Sequence, residues 1–188
     1  ALCHEYHTTL NTKMQEKSNI NQSMRLIIRI SRNSLSFATV NGQRCVKCPV
    51  IYVPYFLNSG ISMAANLREA FRSESILKES YARVLVMVDS PVLMVPIEQF
   101  HEEEQRTLYL YTFQGHEQDE MAHTVLPDLN CVAVFCINRD LKLVIEDHFQ
   151  QPTFIAAIAP VWRYLHQRSY MGVRGKLYAY FHDNRMEV

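Results

Sequence analysis

Glycine is scarce in this chain of 188 residues: there are five, at positions 42, 60, 115, 172 and 175. Phosphate-cradling loops need glycine, because only a residue without Cβ lets backbone N–H groups close on the anion. Gly172-Val-Arg-Gly-Lys176 contains a Gly-Lys pair, but the earlier glycine falls at the wrong spacing and Leu177 replaces Ser or Thr, which excludes a P-loop. No Gly-x-Ser-x-Gly nucleophile elbow occurs. Net charge is also missing. Nineteen basic residues balance nineteen acidic ones, which removes any global electrostatic reason to expect nucleic acid or an anionic membrane as partner. The longest apolar run, Cys131–Ile137, has seven residues, far short of the roughly 20 that span a bilayer, so no direct membrane insertion is expected. Ala1–Ser23 has no continuous apolar stretch and reads as a polar, flexible tail rather than a secretory signal. The cysteines, five and scattered, form no disulfide framework and fit reduced thiols in a cytoplasmic protein.

What the chain does contain is a series of apolar runs divided by turn residues. Arg25–Ile30 and Leu35–Val40 are rich in β-branched and aromatic residues. They predict two strands, Met24–Ile30 and Leu35–Val40, joined by the tight turn Ser31-Arg32-Asn33-Ser34. Asn41-Gly42 predicts another turn. A third strand follows over Arg44–Tyr55, confined to a sheet edge by Pro49 and Pro54. Ser62 is the expected N-cap of a helix over Met63–Lys78. The unbroken run Val84–Val88 predicts a strand buried on both faces, beside the Met24 strand and reached by a right-handed crossover. Val92–Val95 is a short strand stopped by Pro96, and a helix is expected over Ile97–Phe113 with Glu102–Glu104 near its start. Gly115–Glu120 reads as a polar loop, Thr124–Leu126 as a short strand and Cys131–Ile137 as a clear one. Asp140 is the expected cap of a helix whose apolar face is Leu141, Val144, Ile145 and Phe149. A strand over Thr153–Ile158 and a helix over Val161–Tyr170, carrying the single tryptophan Trp162, come next. A hairpin, Leu177–His182 and Arg185–Val188 about Asp183-Asn184, completes the chain.

The resulting order is β-β-β-α-β, an inserted β-α-β-β segment, α-β-α, and a hairpin that repeats the first in form. This layout resembles the ribonuclease H-like lobes of actin-like ATPases over about Met24–Val188. Val84–Glu98 and Val132–Tyr164 look like the matching parts of pilus-assembly and type II secretion actin-like proteins. Ser62-Met-Ala-Ala-Asn-Leu-Arg-Glu-Ala-Phe71, Pro127-Asp-Leu-Asn130 and Leu141-Lys-Leu-Val-Ile-Glu-Asp-His-Phe149 are similar to a bacterial protein family of unknown function (DUF family 3822) with that fold. The resemblance implies an α/β fold on a mixed sheet. Its parts would be the tail 1–23, a first actin-like lobe 24–171 with an inserted subdomain at about 92–130, and the hairpin 176–188 of a second, incomplete lobe. A terminal hairpin leaves a strand edge unpaired. It is therefore expected to be covered by the first lobe or by another copy, or to belong to a longer gene product.

In the actin-like family the first hairpin turn holds a Mg²⁺-associated Asp followed by Gly and Thr or Ser, and the second lobe's hairpin repeats Asp-x-Gly. The matching positions here are Arg29-Ile30-Ser31-Arg32-Asn33-Ser34 and Tyr180-Phe181-His182-Asp183-Asn184-Arg185. Neither contains glycine, the first contains no acid, and Asp183 is the one partial match. The resemblance therefore implies degenerate phosphate turns at Arg29, Ser31, Arg32, Asn33, Ser34 and Asp183, with no catalytic residue, no enzyme activity and no cofactor. ATP with Mg²⁺ stays as the alternative, a regulatory switch with weak or no hydrolysis.

Other constellations are weaker. Cys45-Val-Lys-Cys48 has no second pair to complete a zinc site and precedes Pro49 on an edge strand rather than a helix, so it reads as structural thiols. Glu120-Met-Ala-His123 has the spacing of a carboxylate-bridged di-metal site but occurs once where two copies are needed. With His116 and Glu117 it reads as a solvated loop, and no metal site is expected. The aromatics point elsewhere. Tyr52, Tyr55 and Phe56 along the edge strand, and Tyr109, Tyr111 and Phe113 at the end of the inserted helix, are the candidate contacts for a protein partner. The first group would act by strand addition. The expected function is a non-catalytic actin-like scaffold or protein-interaction module holding an unknown protein, such as a peptide of a membrane-associated assembly.

Overall fold

Strands β1 (Met24–Ile30) and β2 (Leu35–Asn41) form the antiparallel hairpin that their composition requires, with Ile30 opposite Leu35. The computed structural model describes residues 24–41, 50–170, 175–183 and 185–188. The tail 1–23, Gly42, the Cys45/Cys48 pair and the first half of the expected third strand lie outside them. The described part of that strand, β3 (Ile51–Tyr55), pairs with β2 and forms one edge of the sheet, with Pro54 in it. Helix α1 (Met63–Ser73) starts where expected, Ser62 Oγ accepting the Ala65 N–H at 3.2 Å. It stops five residues short of Lys78, because Glu74 turns extended and the segment Ser75–Leu77 winds as a separate 3-10 turn. Strand β4 (Arg83–Val88) then lies parallel to β1.

β4 does not bury both faces. Val84, Val86 and Val88 are buried with Leu26, Ile28 and Ile30, whereas Leu85 and Met87 are half-buried. The cause is that α1 and α3 (Arg139–Glu146) pack together on one face of the sheet, contributing Leu67, Phe71, Leu141 and Ile145 to the core. β8 (Thr153–Ala156) adds parallel to β4, giving the order β3-β2-β1-β4-β8.

The insert is a second sheet. β5 (Val92–Pro96), β6 (Glu120–Leu126) and β7 (Cys131–Ile137) pair antiparallel in the order β5-β7-β6, so the subdomain runs past position 130 to Ile137. Every residue of β7 is buried. Ala133, Phe135 and Ile137 join the main core, while Val132, Val134 and Cys136 form a smaller one with Val95 and Tyr109. The helix expected over Ile97–Phe113 is broken into 3-10 turns at Ile97–Gln99 and Glu102–Glu104 and the short helix α2 (Gln105–Thr112). Extended backbone at Phe100 and His101 separates the pieces. Glu120–His123, read as a loop, is strand: His123 stands opposite Val134. The cap of α3 is Asn138, not Asp140. Its Oδ1 accepts the N–H groups of Asp140 and Leu141, leaving Asp140 in the first turn. Helix α4 (Ala159–Ser169) and the hairpin of β9 (Tyr180–His182) and β10 (Arg185–Glu187) end the chain. Among the described residues no helix is long and apolar enough to cross a membrane.

Candidate functional site

The parallel strands β1 and β4 end side by side, Asp89 N–H donating to the Ile30 carbonyl at 2.9 Å. In open α/β sheets the crevice beyond such carboxyl ends is the usual place for ligands, and the two turns singled out in the sequence meet here. Arg29 points from β1 to the tip of the C-terminal hairpin, its Nη2 2.8 Å from Asp183 Oδ2. Ser34 Oγ donates to Asp183 Oδ1 at 3.3 Å, and Ser31 Oγ and Ser34 Oγ are 2.7 Å apart. Asp183 sits at φ +42°, in the left-handed region that glycine usually supplies and that Asp tolerates better than most. Ser31 is buried, and Arg32 and Asn33 are exposed at the tip of the first turn. Of the six expected turn positions, the structure thus joins Arg29, Ser31, Ser34 and Asp183 into one network and leaves Arg32 and Asn33 outside it.

Electrostatics follow from this pairing. Burial alone raises the Asp183 pKa, but the hydrogen bond and charge of Arg29 outweigh it and hold the carboxyl below its usual range. A lowered folded-state pKa contributes stability above the unfolded value of about 4, which is lost as pH falls through the folded one. Trp162 lines a cavity of about 400 Å³ together with Tyr178, Tyr180 and Val188, so its emission reports the seating of this hairpin. Asp183→Asn is expected to shift Trp162 emission toward that of exposed indole at pH 7. The difference from wild type should persist at about pH 4 and vanish only as the pH falls through the lowered Asp183 pKa. Equal spectra at pH 7 would count against the ion pair as the hairpin's anchor.

Beside the turns is a cavity of about 380 Å³ lined by Ser31, Arg32, Asp89, His116, Cys136 and Asn138 among others. Two sets of ligating side chains, which the expectation of no metal site did not include, touch its lining: one through Asp89 alone, the other through all three of its members. Asp89, His182 and Asp183 bring ligand atoms within 4.8 Å of one another, as do His116, Asp119 and Cys136. Asp89 had a sequence signal: an acid immediately after a buried parallel strand. The first set offers two carboxylates, as Mg²⁺ prefers. Asp183, however, already has a cationic partner in Arg29, which would repel a divalent ion at that carboxylate. Among the described residues no glycine lines the cavity.

The aromatic candidates separate. Tyr52 is 63 % exposed, Phe56 92 % and Tyr111 91 %. Tyr109 is fully buried, its hydroxyl 2.9 Å from the Pro91 carbonyl oxygen, and cannot meet a partner. Tyr55 packs against Phe37 and the main core, and Phe113 against Tyr109. Both lie on the inward side of their segments.

A family described as "Protein of unknown function (DUF3822)" matches residues 13–188. The chain belongs to that family. A solved structure from Bacteroides thetaiotaomicron, described as a protein with actin-like ATPase fold and unknown function, is 25% identical to it with a TM-score of 0.75. The superposition covers 81% of this chain and 59% of that one, so this chain spans well under two thirds of the relative's length. No curated protein matches the sequence significantly. The family member described here therefore has an α/β, actin-like ATPase fold, as the order of its elements implied.

Proposed function

We propose that this chain is a non-catalytic actin-like scaffold that has lost its phosphate-binding residues and holds another protein. The observation that carries the reading is the Arg29–Asp183 ion pair. The single carboxylate at the two turns is engaged by Arg29 and Ser34, so the turns are tied to each other rather than left open toward a ligand. The partner surface is the outer edge of the first sheet, where Ile51, Tyr52 and Phe56 are exposed along and just beyond β3. Pro54 removes one N–H donor from that edge, so a partner is gripped more by these side chains than by a continued ladder. A peptide of a membrane-associated assembly, in a cytoplasmic setting, is the partner class the layout implies.

A photo-crosslinker placed at Phe56 in cells should yield one dominant product, absent when the same group replaces Glu69 on the exposed side of α1. Tyr52→Ala with Phe56→Ala should weaken the purified complex at least tenfold while leaving stability within about 0.5 kcal/mol, since exposed sites contribute little to folding. Equal labelling from both positions would remove the support for this surface.

A second reading, an ATP-binding switch with weak or no hydrolysis, draws on the cavity beside Arg32 and Asp89. A ligand at 100 times its dissociation constant stabilises by about 2.7 kcal/mol. The scaffold reading expects no thermal shift with millimolar ATP and Mg²⁺, and a clear saturable shift would replace it with the second.

A further inference from the structure

The loop after α2 carries a cluster that neither the fold's resemblance nor the scaffold reading uses. His116 Nδ1 lies 2.8 Å from Asp119 Oδ2 and 3.3 Å from Cys136 Sγ. One ring nitrogen therefore faces a carboxylate and a sulfur together. This is not the geometry of a Cys-His-Asp catalytic triad, in which the carboxylate orients one nitrogen and the other serves the nucleophile. It is a convergence of three different donor atoms on one point. Around a tetrahedral zinc ion, with bonds of about 2.0–2.3 Å, neighbouring ligand atoms stand roughly 3.3–3.6 Å apart. The His116–Cys136 edge already has that spacing, the His116–Asp119 edge needs to open by about half an ångström, and all the ligand atoms lie within 4.8 Å of one another.

The surroundings are already set for this. Arg106 on α2 donates to the backbone carbonyls of both Glu117 and Asp119, and Asp119 N–H closes the turn onto the His116 carbonyl at 3.1 Å. The two loop ligands are therefore fixed relative to each other. The third comes from β7, whose Cys136 is buried between the sheet and Tyr109. The Tyr109 hydroxyl lies 3.3 Å from Cys136 Sγ and 2.9 Å from the Pro91 carbonyl oxygen, so its one proton is shared between the two acceptors. All three ligand residues line the 380 Å³ cavity. Donor type narrows the ion: one imidazole, one thiolate and one carboxylate suit zinc rather than magnesium or calcium, which take oxygen.

We propose that His116, Asp119 and Cys136 bind one Zn²⁺ ion, with a fourth coordination position open to the cavity. Three protein ligands and an open position is the arrangement of zinc sites that exchange a bound water or anion, as opposed to closed four-ligand structural sites. The site does not rest on the scaffold reading. A zinc-binding chain without a partner, or a partner-binding chain without zinc, would separate the two.

The test uses the full chain with any affinity tag removed and Cys3, Cys45 and Cys48 replaced by serine, so that Cys131 and Cys136 are the remaining thiols. Metal-free protein under a non-chelating reductant is titrated with Co²⁺ as a spectroscopic stand-in. The expected result is saturation at one equivalent, with a thiolate-to-cobalt charge-transfer band in the near ultraviolet and visible bands of tetrahedral intensity. Zn²⁺ should displace both. Cys136→Ser should abolish the charge-transfer band and Cys131→Ser should retain it. Asp119 and His116 are half-buried and belong to neither apolar core; Asp119→Asn and His116→Ala, checked for folding by circular dichroism, should each weaken binding by more than about tenfold. The proposal is overturned if the folded chain shows no charge-transfer band and retains no zinc after gel filtration. It is overturned equally if the band survives Cys136→Ser, or if both loop variants bind as tightly as the parent.

Discussion

Phe135→Ala is expected to destabilise the protein by about 3–5 kcal/mol, the range for deleting a fully buried phenylalanine ring. Phe135 has no exposed surface and sits near the middle of β7, opposite Val92 on β5 and Ala122 on β6. Its side chain faces the main core rather than the insert's own, so it belongs to the apolar layer joining the two sheets. Thr124 reaches across the same junction, its Oγ1 accepting the Ala156 N–H at 3.4 Å. Truncation removes transfer energy and leaves a cavity that both sheets would have to move to fill. Domains of this size have about 5–15 kcal/mol in all, so the loss takes a large share. Urea unfolding followed by Trp162 emission and by far-ultraviolet circular dichroism should show one coincident, lowered transition. Phe56→Ala, at a 92 % exposed position, should change it by no more than about 0.5 kcal/mol. A loss below about 1 kcal/mol for Phe135→Ala would mean that the insert is not fastened through β7.

Asn66→Ala is expected to cost about 2–3 kcal/mol. This buried asparagine on α1 accepts the Asn58 N–H at 2.7 Å and donates to the carbonyls of Asn58 at 3.0 Å and Ser62 at 3.1 Å. It ties the loop after β3 to the first turn of the helix. Removing the amide strands backbone groups that have given up water, at about 1–3 kcal/mol for each one left unmade. The discriminating variant is Asn66→Asp. It retains an acceptor for Asn58 N–H but sets a carboxylate against two carbonyl oxygens, so it should be at least as damaging as alanine near neutral pH and should recover as the pH is lowered. If Asn66→Asp is as stable as wild type at pH 7, the hydrogen bonds are not what holds the loop.

Where the sequence was legible, the signal was local. The Ser31–Ser34 turn, the Ser62 cap and the apolar run of β7 each follow from residues a few positions apart and form as their composition requires, and the valine run of β4 forms its strand although it buries one face only. The failures share a cause as well. Asn138 and Asp140 are both good caps, and only the exit of β7 decides which side chain reaches the free N–H groups. Glu120–His123 is too polar to read as strand by itself, but a strand bonded along one edge to a fully buried neighbour, β7, needs no strong pattern of its own. Tyr109 looked like an exposed anchor because helical spacing gives a face and not its direction. The second sheet put that face inward.

By itself the sequence determined the order of elements, hence the actin-like layout, and the absence of glycine from both hairpin turns, because backbone propensity and turn chemistry act over a few residues. Only the tertiary structure decided what those turns do. Arg29 and Asp183 are 154 positions apart, and His116 and Cys136 are 20 apart. No periodicity or spacing rule links such pairs; they meet because pairing β1 with β4, and packing the insert's strands against β8, fixes where the ends of separate strands come together.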